Sequence, residues 1–321
     1  MLAENGSYPQ VLQLQGDPAV AEIAVIRLRP AKPYTVETVD GLAPPLSRTE
    51  KWIINVSTQF GCPVGCPFCD AALEYAGNLD AGEILWQVRW ALERHPAEAS
   101  ACRKLKVHFA RMGEPALNDA VPQALEELPS LANCPNLWAC LATVAPRGRD
   151  KWFEQVFSIK ERLYRGRFQL QFSVQSTNEA ERNRLIPTPH LGLKELERLG
   201  RNFYRPGDRK VVLNFALAHQ VEFDPERIAD LFDPARFAIK ITPLNPTASG
   251  RRSGFQTVLR SHREQLLASA CQRLKELGFE VVLSVGDGRE DQLGSNCGQA
   301  VRIARQEGSS TDAIQTVPLL D

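Results

Sequence analysis

Three thiols fall within eight residues in the stretch Gly61-Cys62-Pro63-Val64-Gly65-Cys66-Pro67-Phe68-Cys69-Asp70, spaced C-x-x-x-C-x-x-C. Thiolates packed this tightly suit a soft metal or an iron–sulfur cluster, because one loop wraps one cluster face only when its ligands are a few residues apart. A structural zinc site takes four ligands, usually as two closely spaced pairs. Here no fourth Cys or His follows nearby; the next are His95 and Cys102. Three cysteines on a four-iron cluster leave one iron without a protein ligand, free to hold a substrate or cofactor. Buried cysteines that serve only to pack seldom cluster so closely.

The loop directly follows an apolar run, Trp52 to Ser57, that reads as a strand, and from there strands and helices alternate. Further strands are expected at Leu105 to Ala110, Leu137 to Val144, Phe168 to Val174, Lys210 to Leu217 and Phe237 to Ile241. Helices are expected near Ala81 to Arg94, Ala120 to Leu128, Asp150 to Leu163, Leu191 to Asn202 and Pro225 to Phe232. A long helix from about Val258 to Leu277 then leads to a last strand, Glu280 to Val285. Strands separated by helices imply parallel βαβ units. Before residue 50, the β-like runs Ile23 to Leu28 and Tyr34 to Val39 flank a turn at Arg29-Pro30-Ala31-Lys32-Pro33, and Asp40 to Leu46 reads as a loop. The expected division is a β extension over 1–50, an α/β unit over 51–300 and a tail over 301–321.

Composition sets the wider bounds. The chain has 321 residues, 43% of them hydrophobic and 24% charged, ordinary values for a globular protein with an ample core. Acidic and basic residues balance at 38 each, so no global field draws the chain onto nucleic acid or anionic lipid, although a local basic groove remains compatible. No leader pattern or apolar run of membrane-spanning length stands out, and eight cysteines in a chain of this size imply metal or redox chemistry, not a disulfide framework. A cytoplasmic protein that engages no membrane is the expectation.

Further motifs follow the cysteine loop: Met112-Gly113-Glu114-Pro115, Ser173-Val174-Gln175, Pro243-Leu244-Asn245-Pro246 and, near the C-terminus, Asn296-Cys297-Gly298-Gln299. The cysteine loop resembles that of the radical S-adenosylmethionine superfamily, and the motifs in this order resemble its Cfr/RlmN-type RNA adenine methyltransferases, from about Glu37 to Gln299. The resemblance implies a partial (β/α)6 TIM-like barrel with chemistry at the carboxyl ends of its strands. It implies a [4Fe-4S] cluster on Cys62, Cys66 and Cys69, with S-adenosylmethionine contacted by Gly113, Glu114, Ser173, Gln175 and Asn245. Cys297 would carry the transferred methyl group as a thioether. Glu37 matches a segment that holds the family's proposed general base. A radical route suits a carbon of adenine, which is a poor nucleophile, and it requires a reducing donor of flavodoxin or ferredoxin type.

The chain also departs from that pattern. Asn55 stands where the family has a second cysteine that would release the crosslinked product by forming a disulfide with the first. Cys102, Cys134, Cys140 and Cys271 read as structural thiols outside the matching segment. The expected serine after the third barrel strand is replaced within Ala145-Pro146-Arg147, and the histidine of Ser-x-His is Gln175. Only about fifty residues precede the first barrel strand, where the family's RNA methylases carry a helical domain. The substrate is therefore expected to be RNA or a smaller molecule, with a lean toward a non-ribosomal one. The rival readings are a non-catalytic iron–sulfur sensor or partner protein that kept the fold, and a structural zinc protein. Arg147, Arg149, Lys210, Arg251 and Arg252 form a candidate basic rim, Asn245 to Gly254 a candidate substrate loop, and the five histidines no metal spacing.

Overall fold

Burial alternates along the barrel strands of the computed structural model, which describes residues 9–308 apart from 31, 73–74, 133, 135, 245–246, 259–262 and 285–296. In β4 (Trp52–Val56), Trp52, Ile54 and Val56 are fully buried while Ile53 and Asn55 are half-buried; β7 (Leu105–Phe109), β9 (Phe168–Ser173) and β10 (Val211–Leu217) repeat the alternation. Side chains of a strand point to opposite faces in turn, so one face of this sheet is packed and the other lines a partly open concavity.

The sheet has 10 strands in the order β1-β2-β3-β4-β7-β8-β9-β10-β11-β12. The strands from β4 through β8 (Leu137–Thr143), β11 (Phe237–Pro243) and β12 (Glu280–Leu283) pair in parallel. The expected α/β architecture is present, and β1 and β12 are not paired with each other among the described residues, so the barrel is partial. The N-terminal strands β1 (Gln10–Asp17), β2 (Ala21–Arg27) and β3 (Thr35–Gly41) join antiparallel to the edge at β4. A two-residue pair, β5 (Gln59–Phe60) with β6 (Gly77–Asn78), brackets the cysteine loop.

Helix α1 (Ala81–Arg94) begins at a capping box, Asp80 with Glu83, and buries the stripe Ile84, Leu85, Val88, Ala91 and Leu92. It ends at His95, before the Pro96 that opens α2 (Pro96–Ala101). Strand β3 takes in Asp40 and Gly41, which the sequence places in a loop, because Asp40 is a buried counter-ion. It accepts from Trp52 Nε1 at 2.6 Å, pairs with Arg48 and lies 3.1 Å from His95 Nε2.

Two helices differ from expectation for identifiable reasons. Helix α3 (Val121–Ala132) runs through Pro129, which has no N–H for the Leu125 carbonyl; the Tyr164 hydroxyl donates to that carbonyl instead, at 2.6 Å. The segment after β8 splits into α4 (Asp150–Ile159) and a π turn over Lys160–Tyr164, where the buried Lys160 ammonium reaches the Phe203 carbonyl at 2.9 Å and pairs with Asp208. The remaining helices are α5 (Glu179–Leu185), α6 (Leu193–Phe203), α7 (Pro225–Leu231), α8 (Ala248–Arg252), α9 (Arg263–Glu276) and α10 (Gln299–Gly308). Val258, the predicted start of the long helix, forms a bend after Thr257 bridges to Ala218; residues 259–262 and the predicted end of the last strand lie outside the described residues. Of the tail, the structure describes a helix through residue 308.

Tyr164→Phe removes the donor and strands a buried carbonyl. It is expected to lower unfolding free energy by about 1–3 kcal/mol, read from chemical denaturation; an unchanged midpoint would show that the α3 carbonyl needs no partner.

Candidate active site

The cysteine loop leaves the carboxyl end of β4 and is held there by the next strand's end: Thr58 N donates to the Met112 carbonyl at 2.8 Å, and Glu114 N to Gln59 Oε1 at 2.7 Å. Gly113 permits this approach, since its φ is +103° and an added Cβ would lie 2.7 Å from both Gln59 Cβ and Thr58 Oγ1. Cys62, Cys66 and Cys69 are free thiols. Burial pushes Cys62 up to about 12 against the amides of Val64 and Gly113 that favour its thiolate, and burial drives Cys66 and Cys69 upward too. A bound metal would supply the positive charge that holds them as thiolates.

The donor set fits a cluster. A single tetrahedral zinc holds its sulfurs roughly 3.8 Å apart, as Zn–S bonds of about 2.3 Å require. Among the described residues the group of three ligand atoms that closes within 4.8 Å is Glu22, Asp40 and His95, not the cysteines. That group already holds guanidinium ions, with Arg94 Nη2 2.9 Å from Glu22 and Arg48 paired to Asp40, so it is an ion-pair network.

Asp70, one residue past the last thiol, organises the loop. It accepts from Ser249 N at 2.8 Å, Ala248 N at 3.1 Å and Arg302 Nη1 at 2.8 Å. Burial opposes its ionisation, but the Ser249 and Ala248 donors with Arg302 outweigh it and hold the carboxyl below its ordinary value. Thr247 Oγ1 donates to the Phe68 carbonyl at 2.6 Å and Ser253 Oγ to that of Pro67 at 2.9 Å. The segment read as a substrate loop is thus a brace for the thiols. Asp70 carries no motif signal beyond adjacency to Cys69, and Arg302 carries none.

Cys297 is brought to the same place. Its sulfur lies 3.5 Å from the Ala110 carbonyl oxygen and 3.9 Å from Arg111 Nη1, and is an electrostatic neighbour of Cys62 and Cys69. Burial pushes its thiol up, and Arg111 pulls it back in part. Gly298 packs so closely that an added Cβ would lie 2.2 Å from Ala71 N. Glu37 is fully buried; Arg111 Nε stands 2.8 Å from it, and Gly298 N and, at 3.2 Å, Val301 N donate to it at the start of α10. The structure thus engages this carboxylate as an anchor for the segment that bears Cys297. Arg111 precedes the Gly-Glu pair by two residues, and nothing in the sequence alone marks it.

Glu114 is buried beside the loop. Burial raises its carboxyl to about 7, against donors from Thr143 Oγ1, Val144 N at 2.9 Å and Ala116 N at 3.0 Å. Ser173 ends β9, and Gln175 has a left-handed φ of +71° with its carboxamide oxygen accepting from Ala216 N at 2.9 Å. Asn245 lies outside the described residues, as does Asn296. Asn55 faces the concavity level with His108 of β7, and Cys140 of β8 sits level with the same histidine on its other side. Cys102 and Cys134 instead bond backbone carbonyls, and Cys271 packs from α9. Of the proposed basic rim, Arg147 pairs with Glu195 and Arg149 with Asp119, whereas Lys210 lies immediately before β10 at the amino end of the strands.

No family model matches the chain. The probable dual-specificity RNA methyltransferase RlmN of Treponema pallidum (strain Nichols) is 30% identical over 255 residues, which cover 78% of this chain and 69% of that protein. The ribosomal RNA large subunit methyltransferase N of Nitrosopumilus maritimus is 29% identical over 252 residues, 75% and 69% of the two chains. A crystal structure of a radical SAM methyltransferase from Sphaerobacter thermophilus superposes with a TM-score of 0.70 at 21% identity, over 91% of this chain and 80% of that one, a likeness of fold.

Asp70→Ala is expected to speed loss of iron from the reconstituted protein to a chelator by roughly tenfold or more, followed by visible absorbance, since groups that orient ligands carry effects of this size. An unchanged rate would mean that the thiol loop holds its shape without the brace.

Proposed function

Because the chain belongs to the RlmN family of radical S-adenosylmethionine RNA methyltransferases, with a [4Fe-4S] cluster and S-adenosylmethionine as cofactors, we propose that it methylates an adenine of RNA through Cys297. Cys62, Cys66 and Cys69 hold the cluster; Gly113, Glu114, Ser173, Gln175 and Asn245 line the cofactor; the electron donor is of flavodoxin or ferredoxin type. The observation that carries the reading is the placement of Cys297, which approaches two of the three cluster thiols from the far end of the chain. A sensor would not need that thiol there.

When bound, the reduced cluster supplies the electron that cleaves S-adenosylmethionine and opens radical chemistry at carbon. The chain's own residues do the rest. Glu114, when ionised, offers a buried negative charge to the cofactor's ammonium group. Cys297 holds the transferable carbon at its sulfur, with Arg111 beside it. Glu37 fixes both by binding the Arg111 guanidinium and the amides that follow Cys297. No other protein thiol stands at Asn55, so the release of an adduct from Cys297 differs from the pattern at that position.

Reduced, cluster-loaded protein is expected to form 5′-deoxyadenosine from S-adenosylmethionine, and the tryptic peptide with Cys297 is expected to gain a methyl-sized mass after anaerobic expression. Cluster-loaded protein that makes no 5′-deoxyadenosine would remove the enzyme reading, and an unmodified thiol under saturating cofactor would remove the role of Cys297. With its carboxyl near 7, Glu114 loses its charge as pH falls through that value. Affinity for S-adenosylmethionine should weaken about five- to tenfold between pH 7.5 and 6 and be flat in Glu114→Gln; the same slope in the variant would assign the titration elsewhere.

A further inference from the structure

The opposite end of the barrel carries an unneutralised cluster of cations. Lys51 immediately precedes β4, Lys104 immediately precedes β7 and Arg209 lies two residues before β10, so all three stand at amino ends of parallel strands. Lys106 and His108 follow on the concave face of β7, level with Trp138 and Cys140 of β8. The Lys104 ammonium lies 4.3 Å from the centre of the Trp138 ring and the Arg209 guanidinium 6.0 Å from it. Lys106 bonds the Cys140 thiol and has Lys51 and Lys104 as electrostatic neighbours. Among the described residues none of Lys51, Lys104, Lys106 and Arg209 forms an ion pair with a carboxylate, whereas Arg147 and Arg149 at the other rim do. His108 Nε2 is buried and has no hydrogen-bond partner among the described residues.

Cations that only solvate a surface spread into water. Lys51, Lys104 and Lys106 are instead half-buried side by side, with Arg209 exposed at their edge, and the repulsion has a visible cost: burial and the neighbouring cations lower the proton affinity of Lys51 and Lys104. Burial, then Lys106, Lys240 and Lys51, keep His108 neutral, so the ring adds no charge to the cluster. A single carboxylate would offset one of these charges. A phosphoryl group brings more charge and several acceptor oxygens, and Lys with Arg is the usual pairing for it.

We propose that the amino-terminal mouth of the barrel, built from Lys51, Lys104, Lys106 and Arg209, binds phosphoryl groups. The site stands apart from the cluster and Cys297, and its existence does not rest on the methyltransferase reading. Its ligand is a phosphorylated small molecule or the backbone of a polynucleotide, and both present the same oxygens.

The test is binding of a fluorescein-labelled single-stranded RNA of about fifteen nucleotides, and separately of inorganic pyrophosphate, to the cluster-loaded full chain across a salt series. In the double variant Lys104→Gln/Lys106→Gln, RNA binding is expected to weaken about tenfold or more, with the slope of log affinity against log salt smaller by about one to two. Pyrophosphate should displace the RNA from the wild type. Visible absorbance of the cluster and S-adenosylmethionine binding should stay as in the wild type, which separates loss of this mouth from loss of the catalytic end. Should that variant fail to fold, Lys51→Gln/Arg209→Gln at the rim tests the same point. Pyrophosphate binding alone assigns the site to a small phosphorylated ligand, and tighter RNA binding assigns it to a polynucleotide. Absence of both, or binding unchanged in correctly folded variants, overturns the site.

Discussion

Two buried carboxylates, Asp70 and Glu37, tie together segments that are far apart in the chain. A carboxylate withdrawn from water is tolerable only when donors surround it. Asp70 finds them in the first turn of α8 and in Arg302; Glu37 finds them in Arg111 and in the first turn of α10. Both sets include the C-terminal helix, so unmet charge as well as packing fixes its position. Gly298 completes the fit, because a side chain there would run into the backbone of Asp70 and Ala71.

The same logic separates the two ends of the barrel. At the carboxyl ends of the strands the carboxylates near the thiols are matched: Asp70 by Arg302, Glu37 by Arg111, and Glu114 by hydroxyl and amide donors that only partly offset the rise caused by its burial. At the amino ends the lysines have no such partners among the described residues. A chain with zero net charge thus holds a strongly uneven field along one sheet. Between the two ends the concave face is lined by polar and half-buried side chains such as Asn55, Gln171 and Asn214, unlike the apolar layers of a closed barrel.

Much of this was legible in the residues. The strand and helix alternation from Trp52 onward follows from periodicity, and the three thiols advertise their chemistry by spacing alone. Local rules failed where a distant partner intervened. Pro129 should have ended α3, but Tyr164 supplies the donor that makes its presence tolerable. Asp40 and Gly41 read as loop residues, yet Arg48, Trp52 and His95 draw Asp40 into a strand. Strand β1, rich in Gln, lacks the apolar signal and exists because β2 offers it an edge.

Residue types and short spacings determined the cluster loop, the Gly-Glu pair and the distal Cys-Gly-Gln, since each of these is a local arrangement of donor atoms or a backbone need. The tertiary structure alone decided that Cys297 meets the cluster thiols, that Glu37 anchors it through Arg111, and that Lys51, Lys104, Lys106 and Arg209 converge on one mouth. Those relations join positions many strands apart, and only the register of the folded sheet converts separation along the chain into proximity in space.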